Sequence, residues 1–205
     1  VCHPVIQALP KVPEEETVRE LKRLTGRVIG INLEPVQPEL AKNNDGTLWQ
    51  MSTGRLATAE NARRAADMGV DLIVLTGNPG NGVSNEAIVH ALREISAAAG
   101  DRVILAAGKM HASGVAGEGG ERIMTAADAQ AFMEAGADVI LLPAPGTVPG
   151  ITPEYEHRLI ETIHAQGKLA LTSIGTSQEG ADVATIRQIA LLCKMAGADI
   201  HHIGD

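Results

Sequence analysis

The chain has 205 residues, a formal net charge of −8, two cysteines and three aromatic residues, Trp49, Phe132 and Tyr155. At 44% hydrophobic and 20% charged it is neither disordered nor fibrous, and no apolar run approaches the ~20 residues that span a bilayer. The acidic balance and the scarcity of stacking rings exclude a nucleic-acid binder. Two cysteines are too few for a disulfide framework, which points to the cytoplasm.

In chain order, 1–12 reads as a loop that leads into a helix over 14–24, ended by Gly26 and followed by an apolar strand over 28–33. The connection 35–56 holds two prolines, an Asn-Asp-Gly turn and the only Trp, and reads either as a lid or as a solvated insertion. Helical spacing then ends at Gly69, and a strand follows over 72–76. Ser84 caps a helix over 85–99, Gly100 stops it, and the next strand is 103–107. Thr125 and Asp128 have capping-box spacing ahead of a helix that ends at Gly136, before the strand 139–142. Thr152-Pro153 opens a helix ended by Gly167, and the strand 169–174 comes next. A last helix ends at Gly197, before the strand 200–203.

The unit repeats. MGVDLIVLTG at 68–77, AGADVILLPA at 135–144 and AGADIHHIGD at 196–205 are near copies, and the last four glycine intervals are 31, 36, 31 and 30 residues. Short apolar strands without clean alternation fit burial on both faces of a parallel sheet. Two architectures accommodate such units: a doubly wound sheet, or most of a (β/α)8 barrel. The even unit length and the absence of a G-x-G-x-x-G turn favour the barrel. A complete barrel runs to about 250 residues, so the whole of 1–205 reads as a single partial TIM-barrel domain with six of eight units, strands 3 to 8. Val1 in place of an initiator Met, and an end directly after a strand, suit an internal piece of a longer chain. Open sheet edges predict association between copies, a homo-oligomer included.

Barrel chemistry sits at the C-terminal strand ends, and there the polar residues gather, while the opposite ends carry Arg27, Asp71, Arg102, Asp138 and Lys168. Asn32 and Glu34 share strand parity; Glu34 is a candidate general base or divalent-cation ligand. Lys109 and His111 also share parity, the lysine suited to anion binding or a Schiff base and the histidine to proton transfer. Of the adjacent His201 and His202, only one can face inward. Phosphate or another anion finds donors in three glycine-rich loops, at Thr76 and Asn78, at Gly146 and Thr147, and at Thr172, Gly175, Thr176 and Ser177. No cofactor is assigned; a divalent metal stays open, and its one constellation on offer is Glu34, His111 and one of His201 and His202.

On the segments GINLEPV (30–36), LTGNPGNGVSNEAI (75–88), AGKMHASGV (107–115), VILLPAPGTVPGIT (139–152) and the run 172–205, the chain resembles an uncharacterised bacterial TIM-barrel family. Its members lie beside sugar phosphotransferase-system genes and are labelled phosphoenolpyruvate phosphonomutase-like or haloacid-dehalogenase-like. The resemblance implies a (β/α)8 barrel and a place in sugar uptake and catabolism. The expected function is an enzyme of lyase, aldolase or isomerase type on a small phosphorylated or otherwise anionic metabolite. Two alternatives stand beside it: a metal-dependent hydrolase or lyase, and a non-catalytic metabolite-binding regulator of sugar transport.

Overall fold

The computed structural model describes residues 13–37, 52–111, 117, 119–175, 178 and 180–203. Helix and strand alternate throughout: α1 (Thr17–Thr25), β1 (Gly30–Leu33), α2 (Ala59–Met68), β2 (Leu72–Leu75), α3 (Asn85–Ala99), β3 (Ile104–Gly108), α4 (Ala126–Glu134), β4 (Val139–Pro143), α5 (Pro153–Ala165), β5 (Leu169–Ile174), α6 (Val183–Ala196) and β6 (Ile200–Ile203). The expected elements are all present. The first helix starts later than its pattern suggests, because Glu14–Glu16 form a tight 3-10 turn before α1.

The helix starts follow from side-chain oxygens that satisfy first-turn amides. Ser84 Oγ accepts from Ala87 N at 3.2 Å, and Thr152 Oγ1 from Tyr155 N at 3.2 Å. Thr125 and Asp128 close the anticipated capping box: Thr125 Oγ1 accepts from Asp128 N, while the Asp128 carboxylate accepts from Thr125 N at 2.9 Å. Gly69 and Gly197 stop their helices at φ of +95° and +107°, where a side chain would be strained.

All five strand pairings are parallel, and the spatial order is the sequence order, β1 to β6. That order decides between the two architectures. A doubly wound sheet reverses direction at a switch point and carries helices on both faces. Here every crossover runs the same way, so the helices cover one face and the sheet curls around the other as an open half-barrel. On the helix side Ile73, Leu75, Leu105, Ile140 and Ala170 are wholly buried with Ile88, Leu92, Ile95 and Phe132. Each fully buried Leu, Ile or Phe contributes about 1.5–3 kcal/mol. The inner face holds a smaller cluster, Ala106, Val139, Leu141 and Leu171, with Leu72, Val74 and Met110 against it. Among the described residues nothing caps that inner face near the strand starts, where Ile104 and Leu169 are 47% and 46% exposed.

The repeated Gly-x-Asp has a structural job. Asp71, Asp138 and Asp199 each precede a strand and accept from an amide at the start of the strand before it: Ile29 N at 3.0 Å, Leu105 N at 3.1 Å and Ala170 N at 2.8 Å. Each also meets a cation or imidazole from the helix layer or a strand start, Lys22, Lys168 or His164. The bonds from Lys22 and the Ile29 amide hold the Asp71 carboxyl below the usual range.

Candidate active site

At the mouth, where the strands end, the backbone is tight. A Cβ on Gly108 would collide with the Leu141 carbonyl oxygen, so β3 and β4 approach there as no other residue allows. Beyond Gly108, Met110 turns to the inner face and joins its apolar cluster. Lys109 is instead buried, 1% exposed, with its charge in reach of Glu86 at the start of α3. His111 is half-buried. The shared parity of Lys109 and His111 thus leaves Met110 between them as the residue on the inner face.

Asn32 is paired in register with Val74, which places it on the inner side, exposed. Glu34 is buried at the end of β1, and its carboxylate forms an ion pair and hydrogen bond with Arg55. The backbone braces the same contact, with Glu34 N donating to Arg55 O at 2.8 Å and Ala57 N to Glu34 O at 3.0 Å. Burial pushes the Glu34 carboxyl up, and the Arg55 guanidinium only partly offsets it. A Cβ at Gly77 would lie 3.2 Å from Glu34 Oε2 and 2.9 Å from Val83, so glycine leaves the room this carboxylate occupies.

Next to it, Thr76 is 4% exposed and its hydroxyl has no hydrogen-bond partner among the described residues. Asn78 serves its own turn, its side-chain oxygen accepting from Gly80 N at 2.7 Å. Thr147 likewise donates to Ala144 O at 2.6 Å, inside a turn whose Gly146 sits at a φ of +82°.

The register separates the two histidines. Thr172 pairs with His201 and Ser173 with His202. Ser173 shares the parity of Leu171 on the inner face, and His202 lies there with it, Nδ1 at 2.9 Å from Ser173 Oγ. Ser173 Oγ is also 2.9 Å from the Met110 sulfur. Gly175 closes over the pair: a Cβ there would lie 3.4 Å from Ser173 Oγ and 3.5 Å from Met110 Sδ. Thr172 is fully buried on the helix side, 3.3 Å from His201 Nδ1 and hydrogen-bonded to the Cys193 thiol. Thr172 and His201 are therefore not part of the inner face. Thr176 and Ser177 lie outside the described residues, as does most of the irregular connection, including Trp49.

Three groups escape a reading of the sequence. Arg55 stands in a segment without pattern, and Ser173 is one hydroxyl among several. Glu156 sits among charged helix residues that give no sign of burial; it is wholly buried on α5 behind the mouth, and neither carboxylate oxygen has a partner among the described residues. Burial pushes its carboxyl up to about 8. Among the described residues, no three His, Cys, Asp or Glu side chains come together as a metal cluster. Cys193 is buried as a core thiol, and burial pushes its pKa up.

The fold matches solved structures. Over 93% of the chain it superposes on 57% of a 2,3-dimethylmalate lyase, a member of the PEP mutase/isocitrate lyase superfamily, with a TM-score of 0.55 and 13% identity. It covers 76% of an archaeal fructose-1,6-bisphosphate aldolase, whose catalytic Lys was captured bound to the carbinolamine intermediate, with a TM-score of 0.56 and 17% identity. A Schiff-base-forming fructose-1,6-bisphosphate aldolase gives 0.56 and 18% over the same shares. The chain thus spans little more than half the length of the lyase. At these identities the likeness shows the fold. No curated protein matches the sequence significantly. No described helix is long and apolar enough to cross a membrane. The match to a family model extends over residues 1–205, and the chain belongs to that family, the domain of unknown function DUF7916.

Proposed function

We propose that these residues form the larger part of a (β/α)8 barrel enzyme that works by lyase or aldolase-type chemistry on a small phosphorylated or otherwise anionic metabolite. The observation that carries this reading is the concentration of polar groups at one sheet end, Thr76 and Glu34 among the buried ones. Thr76 keeps a hydroxyl unpartnered among the described residues, Glu34 is buried with a raised pKa, and His202 stands on the inner face. Aldolases and a superfamily lyase among the structural neighbours support it.

In this reading Glu34, His111 and His202 are the groups that move protons. Lys109 supplies positive potential for an anion, while Asn32 and Thr76 contribute hydrogen bonds. Gly175, Thr176 and Ser177 are the residues assigned to the phosphate, on the strength of the sequence. A compact ligand suits a mouth of small residues in a chain with three aromatics.

The test is a thermal-shift panel of sugar phosphates, 2-oxo acids and phosphonates on the full chain. Stabilisation by at least one anionic metabolite, weakened at least tenfold in apparent affinity by Lys109→Met, is the expected result. Silence across the panel overturns the anion reading. Borohydride reduction with a stabilising carbonyl ligand then separates the two lysine roles. A covalent adduct lost in Lys109→Met means Schiff-base chemistry, and no adduct means charge alone.

A further inference from the structure

We infer that Ser173 is a positioning residue that holds His202 as its Nδ1–H tautomer, leaving Nε2 as the lone-pair end of the ring and making His202 a proton acceptor. The inference rests on the reading of His202 as a proton-moving group at the mouth, and it selects the direction in which the proton moves.

The argument is a count of protons. Ser173 is 1% exposed, so solvent does not offer its hydroxyl another partner. Two atoms of the described residues lie at hydrogen-bond distance from Oγ, each at 2.9 Å: Met110 Sδ and His202 Nδ1. A serine hydroxyl has one proton to give, and a thioether sulfur has none. Were the serine proton directed at Nδ1, Oγ and Sδ would face each other at 2.9 Å with lone pairs on both sides and nothing between. Placing that proton between Oγ and Sδ removes the conflict. Nδ1 must then carry its own proton and donate it to Oγ. The chain runs His202 Nδ1–H to Ser173 Oγ–H to Met110 Sδ, and every proton has one acceptor.

Three elements build this arrangement. β5 supplies Ser173, the neighbouring β6 supplies His202 in register, and the segment after β3 supplies Met110. Gly175 lies against the serine and the sulfur in ordinary contact distance of where its side chain would be. The adjacent histidine is held differently: its Nδ1 is 3.3 Å from Thr172 Oγ1, a hydroxyl that also bonds the Cys193 thiol. The count that fixes the tautomer applies to His202 alone of the pair. In the neutral ring only a nitrogen without hydrogen can take a proton from a ligand, and that nitrogen is Nε2.

The experiment is a long-range proton–nitrogen NMR correlation on the full chain labelled at histidine nitrogens. It is recorded at about pH 8.5, where an ordinary imidazole is neutral, with the His202→Gln spectrum identifying the resonances. We expect a protonated-type Nδ1 and an unprotonated-type Nε2 for His202; an Nε2–H tautomer overturns the inference. In Met110→Leu the serine proton loses its sulfur acceptor and turns to Nδ1, so the tautomer pattern inverts or becomes mixed. An unchanged pattern there shows that sulfur does not set the proton order and equally overturns it. If a variant fails to fold, the wild-type spectrum still decides. The readout needs no ligand: a silent metabolite panel with an Nδ1–H signal defeats the enzyme reading alone, whereas an Nε2–H signal with a responsive panel defeats this inference alone.

Discussion

At the foot of the sheet, Asp71, Asp138 and Asp199 each bond an amide at the start of the neighbouring strand and a basic group beside it. At the mouth, Thr76 is buried with no hydrogen-bond partner among the described residues, and Glu34 is held by an arginine that arrives from a distant loop; Glu156, buried in the helix layer, likewise has none. The foot is built from one repeated phrase, while the mouth differs at every strand. Polar groups at the foot are satisfied by the fold. The Thr76 hydroxyl and the Glu156 carboxylate are not, and an orphaned buried polar group costs free energy that folding alone does not recover.

The contrast predicts opposite signs for substitutions of satisfied and of unpartnered groups. The largest effect belongs to Glu156. Its carboxyl ionises in the unfolded chain above the ordinary 4.5 and in the folded chain only above about 8. Between those values the folded state binds more protons, so stability falls as pH rises through that window and levels off above it. Glu156→Met should therefore raise unfolding free energy by about 3 kcal/mol at about pH 7, with the gain shrinking toward zero near the ordinary carboxyl value. Urea titrations across the window check it. A variant less stable than the parent at neutral pH would show that the carboxyl is engaged as the foot carboxylates are.

The foot should respond the other way. Asp138→Ala strips an acceptor from the Leu105 amide and from Lys168, and should destabilise by about 2 kcal/mol in the same titration. The smallest effect is expected at Thr76. Valine keeps the shape and removes a hydroxyl without a partner among the described residues, so Thr76→Val should be neutral or stabilising by up to about 1 kcal/mol. The same variant should weaken binding of any anionic metabolite found by thermal shift. A Thr76→Val chain that loses stability and keeps its binding would erase the distinction between the two ends.

Much of this is written in the chain. Thr125 and Asp128 carry their capping box in their spacing, because a first-turn bond depends on residues three apart and on little else. The strands are legible as apolar runs between glycine stops. Reading those units as most of a barrel agrees with the sequential strand order, and the strand order itself had to be seen. The site is less legible. Alternation states that His201 and His202 face opposite ways but cannot name the inner one, since the sheet's two faces are distinguished only by what packs on each. Parity pairs Lys109 with His111 from a strand that ends at Gly108, after which Met110 takes the inner face. Arg55 meets Glu34 across 21 residues of chain, a contact no local pattern encodes. Glu156 lies in a helix whose charged neighbours suggest solvent, and only the packing of α5 against the rest of the helix layer buries it near Cys193 of α6.

The sequence by itself determined the elements, their alternation and the end of the sheet where polar residues gather. These depend on short-range terms: backbone conformation at glycine, capping bonds within a turn, and the burial demanded by an apolar run. Tertiary structure alone decided which histidine faces the interior, which hydroxyl holds it, and which carboxyls are buried. Those depend on strand register and on distances between segments far apart in the chain, and such distances exist only once the sheet has closed on its neighbours.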